Sequence, residues 1–423
     1  MNARLPGGGA DFDVIVVGGG VIGTAMAGLL VGRGICAPGR VAIVASRLEP
    51  PPSGRDDWDL RVFALSRASE RVLRACGAWS SLPPARVLAF ERMRVWDEDG
   101  EPLGRSALHF DCAELGEPNL GYIVEGLALQ RQSAESARAA GAALIEGELG
   151  SVAIDAACAT LRLADGRALA CGLVIGADGH ASKTRELLGI GTAGHAYHQD
   201  ALVAHVKTSE PHRNTAWQRF LRTGPLAFLP LPDGRSSIVW SADRAEAARL
   251  RGLSPEEFAD ALSSASGEAL GRCELTTPVA AFPLRVQYAT EYVRPRAVLL
   301  GDAAHVVHPL AGQGLNLGLM DCAVLAEVLA GTRPAASAVE LRVLRRYERR
   351  RRGENIAAAA ALDGLQRLFG SRDALSTGLR GAALRAADRL SPVKGLLARR
   401  ALGLSGDVPA FLRESADGQE DGR

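Results

Sequence analysis

The chain has 423 residues, 47% of them hydrophobic, and its 49 basic and 48 acidic side chains leave a formal net charge of +1. That length holds two domains around a large core, and the charge balance supplies no field to draw the chain to nucleic acid. The seven cysteines (Cys36, Cys76, Cys112, Cys158, Cys171, Cys273 and Cys322) form no C-x-x-C pair and no Cys/His cluster. This argues against structural zinc and disulfides, and for a reducing cytoplasm. Met1 to Asp13 has no basic region leading into a signal-type apolar core.

In chain order, the apolar run Val14–Val17 reads as a buried parallel strand. Gly18 lets the chain turn tightly out of it, Gly20 lets the backbone approach a pyrophosphate, and Gly23 lets the next helix pack against the sheet. That helix, over Val21–Gly32, aims its free amides and positive dipole end at phosphate charge. Val14 to Val31 is uncharged and long enough to cross a membrane. The glycine spacing directly after a strand favours a nucleotide site instead, with Gly18, Gly20, Val21, Ile22 and Gly23 as its phosphate-binding positions. The second strand, Val41–Val44, departs from the dinucleotide pattern. It ends in Ala45 and Ser46 rather than in an acid, leaving Ser46 or Glu49 for the ribose.

A second apolar run, Leu173–Ile175, leads into Gly176-Ala177-Asp178-Gly179, then Ser182 and Arg185. Here Asp178 and a tight turn stand at the carboxyl edge of a sheet, where cofactors bind in open α/β folds. Gly189 to Gly194 also matches G-x-G-x-x-G, but it follows a helix (Ser182–Leu188) and opens none, so no second dinucleotide site is expected. Ala201–Val206, Ala227–Leu231 and Ser236–Trp240 read as strands of a mostly antiparallel sheet. Ala297–Leu300 is again a strand. After it, Asp302 can accept hydrogen bonds from ribityl hydroxyls. Gly312 and Gly314 open a helix, Leu315–Leu329, whose amino end can hold negative charge on a reduced flavin. Taken together, these are three grips on one FAD.

The expected class is α/β. A discontinuous Rossmann-like FAD-binding domain comprises residues 11–85, 121–190 and 285–333. An inserted, mostly antiparallel substrate domain comprises 86–120 and 191–284, and a helical carboxyl-terminal region spans 334–423. The run Arg349–Arg352, interleaved with Glu348 and Glu354, reads as a solvated or ion-paired helix surface, with docking to a membrane or protein complex as the alternative.

These motifs match the flavoprotein aromatic hydroxylases of the para-hydroxybenzoate hydroxylase fold. From about Asp11 to Pro409 the chain resembles the ubiquinone-biosynthesis hydroxylases among them. The closer likeness rests on Asp59 to Ser66 (DLRVFALS), Gly121 to Glu125 (GYIVE), Gly224 to Pro230 (GPLAFLP), His308 to Gly318 (HPLAGQGLNLG) and Tyr347 to Asn355 (YERRRRGEN). Two positions depart from the family: Gly126 is usually Asn, and Ala181 is often Arg.

The resemblance implies an FAD-dependent monooxygenase that uses NAD(P)H and O2 to hydroxylate the ring of a polyprenyl phenol. No metal is needed. It places His308 and Gln313 beside the flavin as catalytic candidates, with His308 either a proton relay or a structural histidine. Arg61, Gln130, Gly314, Leu315 and Asn316 join the cofactor contacts. An apolar channel lined by residues 197–284 is expected to carry the tail toward the carboxyl-terminal helices. The expected setting is the cytoplasm, with peripheral contact at the inner membrane or within a biosynthetic complex. The rivals are another flavin oxidoreductase of this fold (a simple phenol hydroxylase, halogenase or prenyl reductase) and an idle FAD-binding scaffold. A halogenase would need a Trp-x-Trp-x-Ile-Pro stretch and a catalytic lysine, whereas this chain lacks the stretch and has only Lys183, Lys207 and Lys394.

Overall fold

The structure, a computed structural model, describes residues 10–48, 58–104, 107–307, 312–332, 340–370, 395, 399–400, 402–403 and 405–417. Strand β1 (Phe12–Val17) runs into α1 (Val21–Gly32), followed by β2 (Val41–Ala45), β3 (Val62–Leu65) and α2 (Arg67–Ala75). Strands β4 (Val87–Phe90), β5 (Arg92–Asp97) and β6 (Leu108–Asp111) lead through α3 (Cys112–Leu115) to β7 (Gly121–Glu125) and α4 (Gly126–Ala140). Next come β8 (Ala143–Glu146), β9 (Leu149–Ile154), β10 (Ala159–Leu163), β11 (Ala168–Gly176) and α5 (Lys183–Leu187). The middle of the chain holds β12 (Thr192–Thr208), β13 (Thr215–Leu221), β14 (Gly224–Pro230) and β15 (Ser236–Asp243), then α6 (Arg244–Arg251), α7 (Pro255–Ala265), β16 (Cys273–Leu275) and β17 (Ala280–Ala289). Strands β18 (Val293–Arg294), β19 (Ala297–Leu299) and β20 (His305–Val306) precede α8 (Gln313–Ala330), α9 (Leu341–Gly370) and α10 (Ala410–Asp417).

Three sheets result. The first has the order β18-β19-β11-β1-β2-β8, with β9 and β10 beside β11. Its centre is parallel: β1 pairs β11 and β2, β11 pairs β19, and β2 pairs β8. Parallel strands are covered on both faces, and β1 and β2 accordingly bury nearly every residue. α1 packs on this sheet and is apolar all round, so it is a core helix. α8 passes a length-and-hydropathy test for a membrane span, yet Leu319, Cys322, Ala323, Val324 and Leu325 are fully buried in the same core.

The second sheet has the order β20-β17-β12-β15-β14-β13-β5-β6. It is antiparallel except where β13 meets β5. It runs past the expected limit at 284, to Ala289, and takes in β20 as well. Period-2 alternation gives it two unlike faces. Leu202, Ala204, Val206, Leu226, Phe228, Ile238 and Trp240 point into a dry core with Phe258 and Leu262 of α7. α7 starts with a full capping box, in which the Ser254 hydroxyl accepts from Glu257 N–H and Glu257 Oε2 accepts from Ser254 N–H. On the opposite face Val203, Ala227, Leu229, Val239 and Met93 are only partly buried. A third, three-stranded sheet, β3-β7-β4, lies beneath this half-open face. Met93 and Leu229 join Val62 and Ala64 of β3 in one apolar cluster.

The Gly189–Gly194 stretch enters β12 and opens no helix. A Cβ at Gly194 would overlap the Val286 carbonyl, so this glycine is there for strand packing.

Candidate active site

The three motifs meet at one edge. Val17 lies beside Gly176, and Gly176 lies beside Leu299. Backbone bonds lock this row: Gly18 N–H donates to Val44 O (2.8 Å), Ala177 N–H to Val17 O (2.8 Å) and Leu300 N–H to Gly176 O (2.9 Å). The carboxyl ends of β1, β11 and β19 therefore form a continuous rim, the usual ligand position of such sheets.

Each glycine of the first turn has a distinct reason. Gly18 has φ +122°, and a Cβ there would overlap Ala177 O. A Cβ at Gly23 would overlap Gly18 O, which forces α1 onto the turn. Gly20, by contrast, faces open space, with nothing within 4 Å of its Cβ position. It is the N-cap of α1, and no side chain caps that end. Val21 and Ile22 follow as the first helical residues. Ile22 also fastens the first motif to the third, because Cβ positions at Gly301 and Gly318 lie 3.2 Å and 2.7 Å from its Cγ1 and Cδ1. Gln130 of α4 reaches the same turn, Nε2 donating to Gly19 O at 3.4 Å. Ser46 is exposed just past β2.

Asp178 is engaged mainly by its own turn. Its Oδ1 accepts from Ser182 Oγ (2.5 Å), and its Oδ2 accepts from Thr184 N–H and Oγ1 (both 2.9 Å). Both oxygens are engaged by the start of α5, so Asp178 shapes the turn, with acceptor capacity left on Oδ1. The side chain of Asn316 is likewise held by the chain itself. Oδ1 accepts from Ser66 N–H (2.9 Å) and Ser69 Oγ (2.7 Å), while Nδ2 donates to Ala64 O (2.9 Å) and Gly312 O (3.3 Å). This side chain ties α8 to β3 and α2 and is saturated by its own chain. Sequence could not show either result, since both depend on partners far away or in turns.

Asp302 is different. It is partly exposed, and its carboxylate makes no hydrogen bond among the described residues. The Cβ position of Gly314 lies 3.9 Å from its Oδ1, with nothing nearer. The amino end of α8, capped by Gly312 at φ +63° with no side-chain cap, opens beside it through Gln313, Gly314 and Leu315. Gln313 is partly buried there. Arg185 Nη1 donates to Ala303 O at 3.0 Å, linking the second motif to the third. Arg61 is exposed, its guanidinium 4.9 Å from the Phe63 ring. Arg61 O accepts from Gly126 N–H, and a Cβ at Gly126 would sit 2.7 Å from that oxygen. The unusual glycine thus lets the Asp59–Arg61 segment lie directly on α4. His308 lies outside the described residues. Among those residues no group of three His, Cys, Asp or Glu is disposed to hold a metal ion.

Two uncapped helix amino ends, a side-chain-free cradle at Gly20 and an unpaired carboxylate at Asp302 fit FAD, whose phosphates need donors and whose ribityl hydroxyls need an acceptor. Asp302→Ala is expected to weaken FAD by about 1.5–3 kcal/mol, roughly ten- to over a hundredfold in affinity, in a chain that still folds. A titration of apo-protein giving an unchanged Kd would remove Asp302 from the site.

Comparison with known proteins supports the geometry. A family model described as an FAD binding domain matches residues 133–360. The chain is 33% identical over 398 residues to the 3-demethoxyubiquinol 3-hydroxylase of Escherichia coli, covering 93% of this chain and 98% of that protein. It is 35% identical over 434 residues to a mitochondrial ubiquinone biosynthesis monooxygenase of Rattus norvegicus, covering 90% and 89%. Among solved structures, PqsL of Pseudomonas aeruginosa in complex with 2-aminobenzoylacetate superposes with a TM-score of 0.72 at 26% identity, over 88% of this chain and 99% of that one. The open carboxylate, the two bare helix ends and these relatives agree: the chain belongs to the ubiquinone-biosynthesis family of FAD-dependent monooxygenases.

Proposed function

We propose that this enzyme hydroxylates the ring of a polyprenyl phenol on the route to ubiquinone. Aromatic C–H, O2, NAD(P)H and a proton yield the hydroxylated ring, water and NAD(P)+. When bound, FAD would supply the redox chemistry that the side chains lack, coupling oxidation of NAD(P)H to reduction of O2. The observation that carries the reading is the partly buried face of the second sheet, where Val203, Ala227, Leu229 and Val239 lie beside the buried polar side chains of His205, Gln218, Ser237 and Ser241. Val203, Ala227 and Val239 form one row across it. Leu229 shares a cluster with Ala64, and Ala64 in turn lies 3.4 Å from the Cβ position of Gly312 at the head of α8. A ring seated on this face is beside the cofactor rim and shielded from water, which limits loss of reducing equivalents to solvent.

The residues have separable tasks. Gly20 and the amides of Val21 and Ile22 receive phosphate, Asp302 receives ribityl hydroxyls, and the amino end of α8 steadies negative charge beside the reacting ring. The apolar row holds the ring by area rather than by charge. The cleft of about 420 Å³ between α2 and the carboxyl-terminal segment is lined by Arg71, Glu117, Arg399 and Arg413. Its lining is mainly charged, and the tail is assigned to the sheet face instead. A water-insoluble substrate of this kind favours cytoplasmic protein in peripheral contact with the inner membrane or with a biosynthetic complex.

Purified enzyme should oxidise NADH or NADPH faster when given a prenylated phenol, with a product heavier by one oxygen. If a short phenol without the tail were hydroxylated equally well, the reading would fall to a simple phenol hydroxylase. If neither accelerated oxidation, the idle-scaffold alternative would stand.

A further inference from the structure

Behind the cofactor rim lies a buried charge cluster that meets the site at the turn beginning with Gly301. Asp321 of α8 is fully buried. Its Oδ2 accepts from His305 Nε2 (2.5 Å) and from Gly301 N–H (3.1 Å). Its Oδ1 accepts from Arg351 Nε (2.7 Å) and Asn355 Nδ2 (3.1 Å), both on α9. Arg351 Nη2 donates further to Asn355 Oδ1 (2.7 Å) and to Leu317 O in α8 (3.3 Å). The His305 and Tyr292 rings lie 6.1 Å apart at 30°. Tyr292 N–H donates to Glu348 Oε1 (2.8 Å), and Tyr347 OH donates to Leu299 O (2.9 Å). Burial opposes ionisation of Asp321, but His305 and Arg351 outweigh it and hold the carboxyl well below the usual range. Arg351, read from sequence as surface, is thus 3% exposed and sits in the core.

A buried ion pair is weak evidence of added stability, and its better-attested use is to fix one arrangement among several. What this one fixes is the turn Gly301–His305. Gly301 sits at φ +54°. Asp321 binds the turn at both ends, through Gly301 N–H and the His305 ring, while Arg185 holds its middle at Ala303 O. Asp302, with its unpaired carboxylate, stands between these three anchors.

We propose that Asp321 and Arg351 are positioning residues for the FAD-binding turn, so that α9 sets cofactor affinity through Asp302 while contributing no side chain to the site. The inference rests on the FAD assignment, and binding of FAD by the wild-type chain tests that assignment separately.

The comparison that tests it uses two neighbours on one helix. Arg350 also ties α9 to α8, through Glu327 (2.6 Å), and to Asp407 (2.5 Å), but on the side away from the turn. Arg351→Met and Arg350→Met, each as apo-protein, are to be titrated with FAD well below their melting temperatures. Both are expected to melt earlier than wild type. Only Arg351→Met should weaken FAD, by about tenfold or more. In a double-mutant cycle with Asp302→Ala, the Arg351 effect should largely vanish, because its route runs through that carboxylate. Equal FAD affinities for both methionine variants, or full additivity with Asp302→Ala, would overturn the proposal. Should Arg351→Met not fold, Arg351→Lys serves, since it keeps the charge but loses the bonds to Asn355 and Leu317. An unchanged Kd there would overturn the proposal equally.

Discussion

Gly20→Val is expected to give a chain that folds like the wild type and binds no FAD. The two halves of that outcome have separate causes. Gly20 has φ −76° and ψ 176°, an extended conformation that valine adopts readily, and its Cβ position meets nothing within 4 Å. The fold therefore has no objection to a side chain. The cofactor does, because the isopropyl group would fill the space where phosphate must approach the amides of α1. The affinity loss should be at least about a hundredfold. Gly23→Ala should do the reverse. Its Cβ would overlap the Gly18 carbonyl oxygen, so α1 must lift off the sheet, at a cost of about 3 kcal/mol or more. Circular dichroism with thermal melting separates the two variants, and flavin titration completes the test. A Gly20→Val protein that held FAD within threefold of the wild-type Kd would move the pyrophosphate away from this turn.

The contrast also shows what sequence can carry. The turn was legible because its information is local: an apolar run of period-free burial, then glycines whose spacing matches one backbone path. The same holds for Asp302, which follows a strand and precedes a glycine-opened helix. Asp178 looked equivalent, since it too ends a strand and precedes a turn. What separates the two is the chain that follows. Ser182 and Thr184 lie within hydrogen-bond reach of Asp178 and engage both its oxygens, whereas among the described residues Asp302 has no such neighbours. Asn316 likewise falls in a motif that suggests a ligand contact, but its partners Ser66 and Ser69 are about 250 positions away. Tertiary partners of this kind leave no mark on a single sequence.

Arg351 did leave a mark, though a faint one. Asp321 is a lone acid in the middle of the apolar stretch Leu315–Leu325 of α8, and a carboxylate on a buried helix requires a cation or several donors. The run Arg349–Arg352 offered four candidate cations without saying which faced inward. Helical geometry decides it by turning successive residues about 100° apart. Arg351 thus meets Asp321, while Arg350 reaches Glu327 and Asp407. The second sheet crosses the expected limit at 284 for a related reason. β17 is one strand with two jobs, pairing β12 along its length and β20 at its end, so the second sheet is sewn to the cofactor rim at Gln287 and Tyr288.

The alternation of that sheet makes the substrate assignment testable at two residues of the same type. Ala227 and Ala204 are both alanines on neighbouring parts of one sheet, but they point to opposite faces. Ala227 lies in the half-open row with Val239 and Val203, whereas Ala204 is fully buried against the α7 side. Ala227→Trp should place an indole where the ring of the substrate rests. FAD binding and melting temperature should stay near wild type, because Ala227 is only partly buried and the cofactor contacts lie elsewhere. Hydroxylated product from a prenylated phenol should fall by about a hundredfold, equivalent to roughly 3 kcal/mol of lost transition-state access. Ala204→Trp drives the same indole into a close-packed core and should unfold or strongly destabilise the domain. Measuring FAD affinity, melting temperature and product together separates a blocked seat from a broken sheet. Full hydroxylation by Ala227→Trp would mean that the ring does not sit on this face. The substrate would then have to approach the rim from the exposed segment Thr192–Ala196 instead.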